Sequence, residues 1–314
     1  MFAGGLDTLQ EKHLELLDHL HSPVTVNTTR RQSLALLSPY LLGAFLLVIL
    51  PAGISFALAF SRYNGLTPPV FNGLQNFQYL RIEPLAWVAI INSLLFILQA
   101  VPLRILAALA LALLLNRPRK GIGIYRAAVY LPTVIPDAAY ALTWTWILNP
   151  IYGPLNLVLA ALGLPTPAWL ADQDWALRGI VLMSLFTIGE GFVILLAGLR
   201  HIPREYYEAS RVDGASGVQQ FFRITLPLLS PWLILLSIRD IALSFQSTFT
   251  PAYLMTRGGP YYATFFAPLM IYEEAFDNFH FGIASALMLI VFLATLILSL
   301  LAYFVFEESG LDAD

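Results

Sequence analysis

Six stretches of this chain are apolar for long enough to cross a bilayer as helices, and no other property limits its fold so severely. A hydrocarbon core about 30 Å thick takes about 20 mainly apolar residues in a helix, which satisfies its own backbone polar groups. The stretches fall near 34–60, 87–115, 124–148, 177–199, 229–250 and 281–306. The fifth is the least uniform, because Arg239 and Asp240 interrupt it. Hydrophobic residues make up 58% of the 314 and charged residues 12%, a balance far from that of soluble globular chains. The expected fold is all-α and polytopic. One membrane domain covers 34–306, between an N-terminal tail (1–33) and a short acidic tail (307–314).

Several chemistries are excluded early. With no cysteine there is neither a disulfide framework nor a thiolate metal site, and the five histidines are scattered without ligand spacing. The basic residues form no long run and no basic-aromatic stripe, so no nucleic-acid partner is expected. Met1 to Arg31 carries early acidic residues and lacks a sufficient apolar core, so it does not read as a cleaved signal peptide. Within it, LDTLQEKHLELLDHL at 6–20 has the spacing of a short amphipathic helix, either a plain surface helix or one docked on a subunit or membrane surface.

Orientation follows from Lys and Arg. If the N-terminus lies inside, the inner segments hold eleven of the seventeen basic residues: Lys12, Arg30, Arg31, Arg117, Arg119, Lys120, Arg126, Arg200, Arg204, Arg211 and Arg223. The outer loops hold Arg62, Arg81, Arg178 and Arg257, and Arg104 and Arg239 fall within spans. This asymmetry predicts that both termini and the loop at 200–230 are cytoplasmic. Trp87, Trp144, Trp146, Trp169 and Trp175 gather near the opposite boundary, where tryptophan anchors the interface.

The 200–230 loop is the longest polar passage between apolar runs. Pro203 suits a helix start, Arg204 to Val212 tolerate a helix, and Asp213-Gly214 breaks it. Ser216 can cap a second short helix through Phe222, before Pro227 and Pro231 redirect the chain. Glu208-Ala209-Ser210, then Gly214, then Ile224, Leu226 and Pro227 resemble the EAA coupling loop of permease subunits of bacterial ABC importers, with every spacing matched. Ser210 stands where the family usually has a second alanine. Asn72-Gly73-Leu74-Gln75-Asn76-Phe77, Thr256-Arg257-Gly258-Gly259-Pro260 and Phe281-Gly282-Ile283-Ala284-Ser285-Ala286 are similar to ordered segments of the carbohydrate-uptake branch, the maltose and glycerol-phosphate type.

The resemblance implies a six-helix type I permease fold in the bacterial cytoplasmic membrane, working by alternating access. It implies a second homologous permease, two ABC ATPase subunits that bind the ATP and magnesium, an extracytoplasmic binding protein and a sugar substrate. The chain itself would be no enzyme and hold no cofactor or metal. Glu208 would be the polar anchor for the ATPase, Ala209 and Ser210 would permit close approach, and Asp213-Gly214 would make the turn.

Charged groups at membrane depth are functional candidates by default. Arg104, Asp137, Glu190, Arg239 and Asp240 are such groups. Arg104 or Arg239 neutralising Asp240 or Asp137 would be purely structural. Glu190, between two glycines, has no basic residue near it in sequence. For a sugar, hydroxyl partners and aromatic faces are needed. The run Phe245 to Tyr253 offers both, so Gln246, Phe249 and Tyr253, with Glu190 opposite, are the expected substrate contacts; polar residues gluing helices together are the alternative. A second function remains open, an ion-coupled carrier using Glu190, Asp137 and Asp240 as a proton relay, although the chain shows no inverted repeat.

Overall fold

The computed structural model describes residues 26–310, so the expected helix at 6–20 and the last four residues of the acidic tail lie outside the described residues. Two compact units divide the chain, residues 1–55 and 56–314. In the first, helix α1 (Val26–Ala44) runs through a π turn (Phe45–Ile49) into α2 (Leu50–Leu58), whose last three residues belong to the second. Its apolar side chains from Leu34 to Ile54 are largely exposed, as a lipid-facing helix requires.

The second unit opens with a two-stranded hairpin, β1 (Ser61–Arg62) and β2 (Val70–Phe71), antiparallel with Ser61 opposite Phe71. Then follow α3 (Gln75–Ile82), α4 (Pro84–Leu115), α5 (Ile122–Tyr130), α6 (Asp137–Ile147), α7 (Pro154–Ala161), α8 (Gln173–Ser184) and α9 (Gly189–His201). The chain ends with α10 (Arg204–Val212), α11 (Gly217–Gln220), α12 (Leu226–Ser247), α13 (Phe249–Pro251), α14 (Ala267–Tyr272) and α15 (Phe281–Gly310).

Among the described residues four helical runs are long and apolar enough to span a bilayer: Gln32–Leu58, Pro84–Leu115, Gly217–Thr256 and Phe281–Phe304. Gln173–Thr187 and Gly189–His201, bent by 48° at their junction, give a fifth when taken together. The stretch at 124–148 is not one helix. A 3₁₀ turn at Leu131–Val134 and an extended Ile135 separate α5 from α6, because Pro132 and Pro136 remove donors and Pro136 disfavours helix at the residue before it. Pro102, by contrast, is carried inside α4 without ending it.

The fifth stretch departs from expectation in the other direction. Pro227 and Pro231 do not redirect the chain, since helix continues from Gly217 to Thr256. Pro227 occupies the first turn of α12, where its missing N–H is no loss, and Pro231 is absorbed within the span.

Helix α12 packs most extensively on α15, and α4 on α9. One buried cluster gathers Phe96, Phe266, Leu269 and Leu287, and another Phe192, Leu195, Leu229 and Leu236. Gly189 lets α9 start against the end of α5: a Cβ there would fall 2.8 Å from Tyr130 Cα. Two of the segments that resemble the family meet at the hairpin. Asn76 Nδ2 donates to the carbonyls of Ala59 (2.8 Å) and Ser61 (3.0 Å), and a Cβ on Gly282 would lie 2.1 Å from the Ser61 carbonyl.

Candidate functional site

The polar loop folds as helix, turn, helix. Helix α10 ends in a Schellman arrangement, with Ala215 N–H bonding the Ser210 carbonyl (2.9 Å) and Gly214 N–H the Arg211 carbonyl (3.0 Å). Gly214 takes φ +79°, the left-handed region, and nothing lies within 4 Å of where its Cβ would be. Ser216 and Gln219 form a reciprocal capping box on α11. Gln220 Nε2 then donates to Ser210 Oγ (2.8 Å) and to the Tyr207 carbonyl (3.2 Å), and Tyr207 OH meets Thr225 Oγ1 at 2.9 Å. The serine that departs from the family's alanine therefore pins the first helix to the second.

Glu208, Ala209, Asp213 and Gly214 are exposed, and Ser210 is half-buried. Exposed apolar side chains accompany them: Tyr206, Val212, Val218 and Phe222. A short, rigid helical hairpin with polar and apolar groups turned outward is a surface suited to a protein partner.

Further along the spans lies a cavity of about 230 Å³ whose wall includes Arg104, Asp137, Glu190, Arg239, Asp240 and Ser247. Four of these charges alternate in a chain. Arg104 on α4 places Nε 3.4 Å from Asp240 Oδ2 and donates through Nη2 to Ser244 Oγ (2.7 Å) and to the Asp240 carbonyl (3.3 Å). Arg239 pairs with Asp240 Oδ1 at 3.0 Å and, through its other terminal nitrogen, with Glu190 of α9. Arg104 and Asp240 are buried, whereas the Glu190 side chain is 49% exposed to the cavity side. Arg104 Nε has no hydrogen bond, so its tie to Asp240 is one of charge rather than of donor geometry.

The expected pairing of Arg104 and Arg239 with Asp240 is thus present. Asp137 lines the same cavity but forms no ion pair among the described residues. Glu190 has its basic partner after all, brought by folding from the fifth span.

Glu190 alone of the four expected substrate contacts lines this cavity. Gln246 is exposed elsewhere on the helix. Phe249 and Tyr253 stack at 5.5 Å with 17° between planes, both against Tyr272, and Arg257 caps the Tyr253 ring at 4.5 Å. The cavity-lining residues of this helical run are Leu236, Arg239, Asp240, Leu243, Ser247, Thr250 and Pro251, a helical stripe from which 246, 249 and 253 are rotated away. Within the polar run Ser247 and Thr248 bond carbonyls of their own helix, Phe249 and Tyr253 pack across on Tyr272 of α14, and Ser244, just before the run, reaches across to Arg104. Ser247 and Thr250 were hidden inside that run, though the seven-residue step from Asp240 to Ser247 gives their phase. Among the described residues no group of three or more His, Cys, Asp or Glu could hold a metal ion.

Fold and site together define a helical, multi-pass membrane protein whose polar loop is joined to a charged internal cavity. The family described as binding-protein-dependent transport system inner membrane component matches residues 89–307, and the chain belongs to it. The protein is 37% identical over 285 residues to the probable ABC transporter permease protein YesP of Bacillus subtilis, covering 88% of this chain and 92% of that one. It is 33% identical to the trehalose/maltose transport system permease protein MalF of Thermococcus litoralis, covering 82% and 88%. A permease in the crystal structure of a bacterial ABC transporter that imports the acidic polysaccharide alginate shares the fold, with TM-score 0.75 at 22% identity over 90% of this chain and 97% of that one.

Proposed function

We propose that this chain is the permease subunit of an ATP-driven importer that carries a sugar across the cytoplasmic membrane by alternating access. One observation carries the reading: the loop is continuous with both sides of the cavity. Helix runs from Gly217, through the π turn at Phe221–Thr225, to Arg239 and Asp240, so about 33 Å of helix at 1.5 Å per residue separates Gly217 from Arg239. On the other side α9 runs from Glu190 to the loop at His201. A push on α10 reaches both carriers of the Arg239–Glu190 pair.

In this reading two ATPase subunits bind ATP and magnesium, grip the loop through Glu208, Ala209, Ser210, Asp213 and Gly214, and rock the helices. A second homologous permease completes the passage, and an extracytoplasmic binding protein delivers the sugar. Both termini are cytoplasmic, with six crossings when α5 and α6 count as one. Glu190 offers the sugar a carboxylate on the cavity wall, while Gln246, Phe249 and Tyr253 are a second contact surface on the adjacent face of the helix. The sugar-transport names of relatives such as MalF support the substrate class.

The ion-coupled carrier is disfavoured by the same geometry. Glu190 and Asp240 are both occupied in ion pairs with arginine, contacts that a proton-relay carboxylate would have to break and remake in each cycle. Transport by reconstituted complex, driven by ATP and not by a proton gradient, is the deciding experiment. Glu190→Ala and Gln246→Ala should each change sugar selectivity; unchanged selectivity in both removes them as contacts.

A further inference from the structure

The cytoplasmic ends of the spans bring together a cluster of arginines that the coupling function does not use. Two adjoining clefts of about 480 and 420 Å³ share Asn116, Pro118, Arg200 and Arg204. Arg117 and Arg211 line the first, and Arg119 and Arg126 the second. The six guanidiniums come from three separate segments: the α4–α5 connection with the start of α5, the last turn of α9, and α10.

Arg126 is used locally, its Nε (3.2 Å) and Nη2 (2.7 Å) both donating to the Leu115 carbonyl that ends α4. The other five have neither an ion pair nor a side-chain hydrogen bond among the described residues, and Glu208 is the one carboxylate lining either cleft. Orientation in the membrane requires basic residues near the cytoplasmic surface. It does not require three segments to converge on a shared hollow with almost no counter-charge. Such convergence costs repulsion unless an anion occupies the hollow.

Position selects the anion. The clefts sit beside Leu115 and Arg200, at the ends of the helices that cross the bilayer, which is the depth of lipid phosphates. Buried Leu199 and Ile202 form part of the wall of the first cleft. We propose that these clefts bind the phosphate headgroup of an anionic phospholipid. Basic hollows between membrane helices at the cytoplasmic side have the chemistry for this. The inference rests on the reading of this face as cytoplasmic.

The test uses assembled transporter purified in detergent, with lipid retention read by native mass spectrometry after incubation with phosphatidylglycerol or phosphatidylcholine. Retention of phosphatidylglycerol over phosphatidylcholine is expected. Arg119→Gln with Arg200→Gln should weaken it roughly thirtyfold, at about 1 kcal/mol for each basic residue removed, while Arg119→Lys with Arg200→Lys restores most of it and controls for folding. Equal retention of the two lipids, or no loss in the glutamine variant, overturns the proposal. Displacement of phosphatidylglycerol by an equal concentration of inorganic phosphate overturns it too, in favour of a free anion. Retention is measured without transport, so a negative result leaves the importer reading intact; failure of that reading shows separately, as a complex without an ATPase.

Discussion

Arg239 and Glu190 are ion-paired across the cavity although 48 residues of chain, including the whole polar loop, lie between them. Each stands on a helix that leads to that loop, so the pair joins the two ends of one mechanical unit. The Arg239 partner Asp240 is also held by buried Arg104. Its carboxylate therefore neutralises two guanidiniums, and Glu190 only shares one. Asp240→Asn should cost about 3–5 kcal/mol, because it leaves buried positive charge uncompensated. Glu190→Gln, at a half-exposed site, should cost about 1 kcal/mol or less. Thermal unfolding of the two variants in the same detergent measures the order; equal shifts would contradict this division.

Ser210→Ala restores the alanine of the family pattern and removes the hydroxyl that accepts from Gln220. Gln220 keeps its bond to the Tyr207 carbonyl, so the loss should be about 0.5–1.5 kcal/mol and confined to the loop. Hydrogen exchange over 204–220 is expected to quicken while uptake persists. Unchanged exchange would mean that the capping box alone holds the hairpin.

Glu273 lies in the π turn at Glu273–Asp277, ahead of the last span. Burial pushes its carboxyl pKa up, and the charges of Asp277 and Glu274 add to the rise. A carboxyl held above its unfolded value near 4.3 binds its proton more tightly when folded, so its contribution is full below that pH and lost as pH rises through the raised value. Glu273→Gln should therefore raise Tm at neutral pH, and the gain should vanish in acid. A gain independent of pH would assign the effect to packing.

Much of this architecture was legible in the sequence for simple reasons. Apolar length marks a span whatever surrounds it, and the loop declares itself because Asp213-Gly214 and Ser216 are local signals that the structure uses as spelled. What was not legible depends on phase and on distance. A polar-aromatic run from 245 to 253 reads as cavity lining, yet only the stripe through Asp240, Leu243 and Ser247 faces the cavity, and composition carries no rotation angle. The Glu190–Arg239 pair joins two spans, so no window of sequence contains it. Pro132 and Pro136 lie within an otherwise apolar stretch, and that together they leave Ile135 extended and split it depends on their four-residue spacing.

The central claim is that an ATPase grips the loop at Glu208 and Gly214 to move the cavity. Gly214 has open space around it in this chain, and aspartate tolerates the left-handed conformation better than most residues. Gly214→Asp therefore strains one surface turn and places a side chain where a partner would dock. The most direct measurement is sugar-stimulated ATP hydrolysis by the reconstituted complex carrying Gly214→Asp or Glu208→Lys, beside the wild type at equal assembly. The account predicts that stimulation and uptake are lost in both variants while the permease subunits remain paired in the membrane. Wild-type stimulation in both would contradict it.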